Sequence, residues 1–194
     1  MLRTPILVAI ALAIAFGLGT ATAWVSMTRL GAFGATKIGN WSAYPVAGTP
    51  LADPYSKARA AREGSFALGA AEGISFYAQN DDDGRPLEPN CVYQLKGSSP
   101  SARFWTIYAA GPDLLPLPSG PDRLPGLHSR ELLREADSSF VIAVAATAQP
   151  GNWLAVSGTP PMTLVMTLYD SSAASSSGMV DISFPSIQRV GCNV

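Results

Sequence analysis

The chain has 194 residues, 47% of them apolar and 14% charged, with a formal net charge of −1. That length suits one domain and an appendage, and with no basic patch to neutralise phosphates, nucleic acid is excluded as a partner. Sixteen prolines and eighteen glycines argue against an all-helical fold and for short strands between punctuated turns.

No charge falls between Arg3 and Arg29, and residues 5–27 form a 23-residue uncharged stretch. Such a helix crosses a hydrocarbon core of roughly 30 Å at about 1.5 Å per residue. Trp24 falls where an interfacial ring belongs, and Arg3 agrees with the positive-inside rule. A cleaved signal peptide is the competing reading, with residues 5–19 as its apolar region and "ATA" at 21–23 as its cleavage site. Either way the rest of the chain is exported. The expected location is a single-pass bacterial inner-membrane protein with its C-terminal domain in the periplasm; release into the periplasm after cleavage is the alternative. The expected division is 1–28 as the membrane or signal segment, 29–52 as a linker, and 53–194 as the folded domain. Trp41 and Tyr44 of the linker are available to fold back.

Asp53 and Pro54 in "DPYSKARAAREG" are N-cap and first-turn residues of a helix that Gly64 can stop. "EGISFYAQ" alternates as a strand, with Ile74, Phe76 and Ala78 on one face. "NDDDGRPLEPN" reads as a long turn leading to "CVYQLKG", so the two strands are expected to form a hairpin. "ARFWTIYAAG" carries large apolar groups on both faces and reads as a central strand. Residues 111–128 hold prolines at 112, 116, 118, 121 and 125 and read as a surface loop unable to ladder with a sheet. "SRELLREAD" is expected to be a short helix capped by Ser129. "SSFVIAVAAT" alternates Phe140, Ile142 and Val144 with smaller residues, and "MTLVMTLYD" places Met162, Leu164, Met166 and Leu168 on one side. Between them "AQPGNWLAV" sets Asn152 and Trp153 in a turn. There the indole either plugs the end of the core or anchors a partner or ligand. The serine-rich stretch 171–180 reads as flexible, and "ISFPSIQRVGC" closes the chain. The absence of βαβ spacing points to an all-β antiparallel sandwich with minor helix.

Two cysteines, Cys91 and Cys192, in an exported chain are expected to pair, closing a loop worth up to ~4.7 kcal/mol in the chain-entropy model. His128 is the sole histidine, and no G-x-S-x-G elbow accompanies it. It reads as solvated or structural, and a zinc site would need a partner's ligands. "DDDG" at 81–84 reads as a solvated turn in preference to a calcium loop, because adjacent side chains diverge. Arg103 and Trp105 are expected on one strand face. They form either a guanidinium–indole platform for a ligand or a buried Arg–carboxylate pair, with Glu72, Arg59 and Arg62 flanking. No cofactor is expected.

The ordered pieces "DPYSKARAAREG", "DGRPL", "ARFWT", "GNWL", "TLYD" and "FPSIQRVGC" resemble a bacterial family of unknown function, numbered twelve-fourteen in the domain-of-unknown-function series. The likeness runs over residues 53–192 and implies a jelly-roll-like β-sandwich. Family relatives often carry a second uncharacterised β domain upstream, numbered twelve-fifty-four; here a membrane segment stands in its place. The family has no established catalytic residues to carry over. These features favour a non-enzymatic, membrane-anchored envelope domain that assembles with a companion β domain. A small-ligand binder for a sugar or apolar metabolite is the alternative, with Trp153, Asn152, Arg103, Trp105 and His128 as candidate contacts. A hydrolase using His128 or paired carboxylates ranks third.

Overall fold

The structure, a computed structural model, describes residues 3–29, 35–63, 68, 72–98, 100–120, 123–171 and 183–192. An N-terminal helix, α1 (Arg3–Arg29), precedes the β fold. Its apolar segment Arg3–Ser26 has a mean hydropathy of 2.2 and is not buried by the rest of the chain. It fits either a membrane anchor or a signal sequence. A second helix, α2 (Pro54–Glu63), starts as expected: Asp53 Oδ1 accepts the Ser56 backbone N–H at 3.0 Å, and Pro54 takes the first helical position.

The strands are β1 (Thr36–Ile38), β2 (Trp41–Ala43), β3 (Gly73–Ala78), β4 (Cys91–Gly97), β5 (Phe104–Ala110), β6 (Gly126–His128), β7 (Phe140–Ala145), β8 (Asn152–Ala155), β9 (Thr163–Tyr169) and β10 (Ser186–Cys192). They build two sheets, ordered β1-β2-β3-β9-β5-β6 and β10-β4-β7-β8. Every pairing is antiparallel except β7 with β8. Alternate residues of both sheets meet in one core. Phe76, Trp105, Ile107, Leu164 and Met166 come from the larger sheet; Tyr93, Leu95, Phe140, Ile142 and Leu154 come from the smaller one. The Trp105 and Phe140 rings touch across the layer at 5.3 Å. Each such side chain contributes roughly 1.5–3 kcal/mol by leaving water, which is what holds the layers together.

β9 is buried on both faces, beyond the one-sided pattern expected of it: Val165 is 1% exposed. It is an interior strand of the six-stranded sheet, and Tyr77 and Tyr108 stand opposite Val165 on its two neighbours. Ser75 and Thr167 join their hydroxyls at 3.0 Å on adjacent strands. Burial of the Tyr108 hydroxyl raises its pKa above the ordinary value.

Four expectations are corrected by tertiary contacts. β3 and β4 do not form a hairpin; they lie in opposite sheets, because the turn between them is pulled inward by Asp81 and by Leu87, which is fully buried. Within the stretch read as a linker, residues 36–43 form a β-hairpin that pairs with β3. Trp41 enters the core and donates its indole N–H to the Pro185 carbonyl at 3.0 Å. The proline-rich segment does ladder with a sheet: Pro116 bridges Ala110, and beyond the last proline Gly126, Leu127 and His128 pair with β5. Residues 129–137 are turns and irregular chain, not a helix. Ser129 spends its hydroxyl on the Trp105 N–H at 3.3 Å instead of capping. Of the serine-rich stretch 171–180, all but Ser171 lies outside the described residues.

Candidate functional site

The two sheets each end in an edge strand on the same flank, β6 in the larger and β8 in the smaller. β6 lies close against β5 because residue 126 is glycine: a Cβ there would stand 2.9 Å from the Ile107 carbonyl oxygen. The ladder continues past the strand through Ser129 N–H to Trp105 O at 2.9 Å.

β8 follows a turn in which Gly151 has φ +79°, a conformation that favours glycine. Parallel neighbours usually need a connection of about a dozen residues. Here the short return is held by Asn152, whose amide accepts the Leu133 N–H at 2.7 Å and donates to the carbonyls of Leu133 at 2.8 Å and Val141 at 2.9 Å. That clasp also keeps residues 129–133 from coiling. Trp153 then donates its indole N–H to Ala145 O at 2.9 Å, which leaves the ring half-buried at the flank. The Arg123 guanidinium lies over this ring, 4.1 Å from its centroid.

Between β6 and β8 opens a cleft of about 390 Å³, lined by Arg123, Leu124, Gly126, Leu127, Glu131, Trp153, Leu154 and Ala155. Leu124, in its lining, is 77% exposed; Leu133, on the segment that Asn152 clasps, is 69% exposed. Glu131 is held toward β6. One carboxylate oxygen accepts the His128 backbone N–H at 2.8 Å and the other sits 3.3 Å from His128 Nε2. His128 Nδ1 is buried without a hydrogen-bond partner, and the imidazole stands 5.6 Å from Phe104.

The structure thus gathers Asn152, Trp153 and His128 on one flank and separates the other two candidates from them. Trp105 is 1% exposed and lies in the core. Arg103 precedes β5 and pairs with Asp170 at 3.3 Å, both side chains well exposed, so it forms neither a buried pair nor a platform with Trp105. The side chains of Arg59 and Arg62 lie outside the described residues. Arg123 and Leu124 belong to the 111–128 loop, which was expected near the site as a segment; neither they nor Glu131 was singled out, because nothing in "DRLPG" or "SRELL" marks them before the edge strands converge.

The acidic turn is solvated at Asp82, Asp83 and Gly84, as expected, but not at its first residue. Asp81 is 1% exposed, and its carboxylate accepts the backbone N–H groups of Asp83 at 3.1 Å and Arg85 at 2.9 Å. It also pairs with Arg85 Nε at 3.2 Å and Arg189 Nε at 2.8 Å. The Asp81 carboxylate is thus neutralised by two guanidiniums. Burial pushes the Asp81 pKa up, but the Arg85 backbone bond and the charges of Arg85 and Arg189 outweigh it and hold the group below its ordinary value. Asp82 accepts the Ile187 N–H at 3.0 Å and the Asn40 amide at 2.8 Å. The motif therefore fastens β10 and the N-terminal hairpin to the body. Among the described residues, no group of three or more His, Cys, Asp or Glu is placed to hold a metal ion.

The family described as Protein of unknown function (DUF1214) matches residues 72–173. The chain belongs to that family. Every residue of the DUF1214 cleft lies inside the matched region, and β1, β2 and β10 lie outside it. A crystal structure of the VPA0106 protein from Vibrio parahaemolyticus superposes with a TM-score of 0.57 at 21% identity, covering 72% of this chain and 36% of that one. A crystal structure of an uncharacterised protein from Burkholderia cenocepacia gives a TM-score of 0.42 at 17% identity, covering 93% of this chain and 51% of that one. The DUF1214 chain thus spans only about a third to a half of the solved proteins it matches. No curated protein matches it.

Proposed function

We propose that this is a membrane-tethered envelope module whose β domain lies on the non-cytoplasmic side and assembles with a companion β domain through the flank where β6 and β8 meet. The observation that carries this reading is exposed Leu124 beside half-buried Trp153 in the cleft lining, with exposed Leu133 on the segment that Asn152 clasps. Exposed apolar groups gathered at one place mark interaction surfaces more than scattered ones do, and Trp is enriched among interface anchors. Two tethered halves share a raised effective concentration, so a modest contact suffices. In the Vibrio parahaemolyticus protein the matched fold occupies 36% of the chain, which leaves most of that protein beside it. A photo-crosslinking residue at Leu124 tests the reading in native membranes. One defined protein adduct, lost in Trp153→Ala, is expected; adducts to lipid alone, or none, would remove it.

The cleft itself favours a second reading, a small-ligand module. Its volume of about 390 Å³ falls at the lower end of ligand sites, and it combines apolar walls with two opposite charges. Calorimetric titration of the purified chain with small molecules tests it, and no saturable heat from any of them would count against it.

A further inference from the structure

The charges in the cleft point to a class of ligand; the inference rests on the small-ligand reading above. We propose that the cleft takes a small zwitterion with an apolar body, its carboxylate on Arg123 and its ammonium group on Glu131. Both charged residues line the same cleft, yet they form no ion pair with each other. Among the described residues Arg123 makes no ion pair at all, and its guanidinium is steadied against the Trp153 ring. A guanidinium laid on an aromatic face keeps its in-plane N–H donors available for a carboxylate.

Glu131 is oriented by its two contacts to His128, and an ionised carboxylate has about four acceptor sites, so it can still accept an ammonium group. A purely anionic ligand would meet Glu131, and a purely cationic one would meet Arg123. A zwitterion meets a complement at each end. Leu124, Leu127 and Leu154 supply the apolar wall between the charges. A free apolar amino acid and a short apolar peptide share this chemistry.

The test is calorimetric titration of the full chain with L-leucine, dileucine, N-acetyl-leucine and leucinamide. Saturable binding of leucine or dileucine is expected, and whichever binds more tightly identifies a free amino acid or a peptide as the source. N-acetyl-leucine lacks the ammonium group and leucinamide the carboxylate, so each should bind about ten-fold more weakly or worse. Arg123→Gln should erase the preference for leucine over leucinamide. Glu131→Gln, which keeps an oxygen acceptor for the His128 N–H, should erase the preference over N-acetyl-leucine. Equal binding of all four probes would overturn the zwitterion assignment and leave the small-ligand reading standing. Preferences that survive both substitutions would overturn the roles of Arg123 and Glu131. No saturable binding of any probe would overturn the inference, and the reading beneath it would stand or fall on the wider titration above.

Discussion

Asp81 shows how one side chain can organise a fold without belonging to a site. A buried carboxylate is costly unless paired, and this one has two arginines and two backbone donors. Asp81→Asn removes the charge and leaves Arg189, itself mostly buried, without its partner; a loss of about 3 kcal/mol in urea unfolding is expected. The folded-state pKa of Asp81 lies below the unfolded value of 3.8, so its contribution is present above that value and is lost as pH falls below it. Urea midpoints of the wild type should therefore drop more steeply than those of Asp81→Asn on acidification below about pH 4. Asn152 makes a comparable case at the flank. Asn152→Asp turns an amide that donates to two carbonyls into an acceptor facing them, with an expected cost of about 2 kcal/mol by thermal or urea unfolding.

At the scale of elements, β10 is the strand most dependent on contacts distant in sequence. Among the described residues it is an edge strand, paired with β4 alone. Cys192 stands opposite Cys91 in register and is disulfide-bonded to it across a separation of 101 residues. The acidic turn grips the same strand at Ile187 and Arg189. Non-reducing mass spectrometry should find the peptides of Cys91 and Cys192 linked. Replacing both cysteines by serine should cost about 2–4 kcal/mol. In that variant, hydrogen exchange should quicken first in Ser186–Cys192 and leave β9 protected, because β9 lies between two strands.

At the scale of the whole molecule, the apolar helix and the β domain demand different surroundings. The large apolar side chains of α1 are exposed, Leu7, Phe16 and Leu18 each by more than 60%, and find no cover in the β fold. Water is a poor solvent for such a surface, which calls for lipid or for removal of the segment. The anchored form predicts that the protein stays in the membrane fraction after alkaline extraction and that N-terminal sequencing begins ahead of residue 5. A mature start at Trp24 would defeat the anchor and leave export intact.

What the sequence determined by itself was whatever depends on local pattern. Alternation of apolar residues placed β3, β7 and β9, a run apolar on both faces placed β5, and a turn placed β4 after it. Asp53 and Pro54 placed the start of α2, and an uncharged run placed α1. The order of short motifs identified the family. Tertiary structure decided everything that depends on which strands become neighbours. "NDDDGRPLEPN" has the composition of a solvated turn, and only its meeting with Arg189, more than a hundred positions away, makes Asp81 a buried ion pair. "SRELL" has helical composition, yet Asn152 and the Trp105 backbone hold it otherwise. Trp105 and Trp153 are both tryptophans in apolar surroundings by sequence. One is enclosed because it points between the sheets against Phe140, and the other is left at the flank because it alternates with core-facing Leu154 on the edge strand β8. The cleft is legible only in three dimensions for the same reason: Arg123, Glu131 and Trp153 share no local spacing and converge when the edges of two separate sheets come to lie side by side.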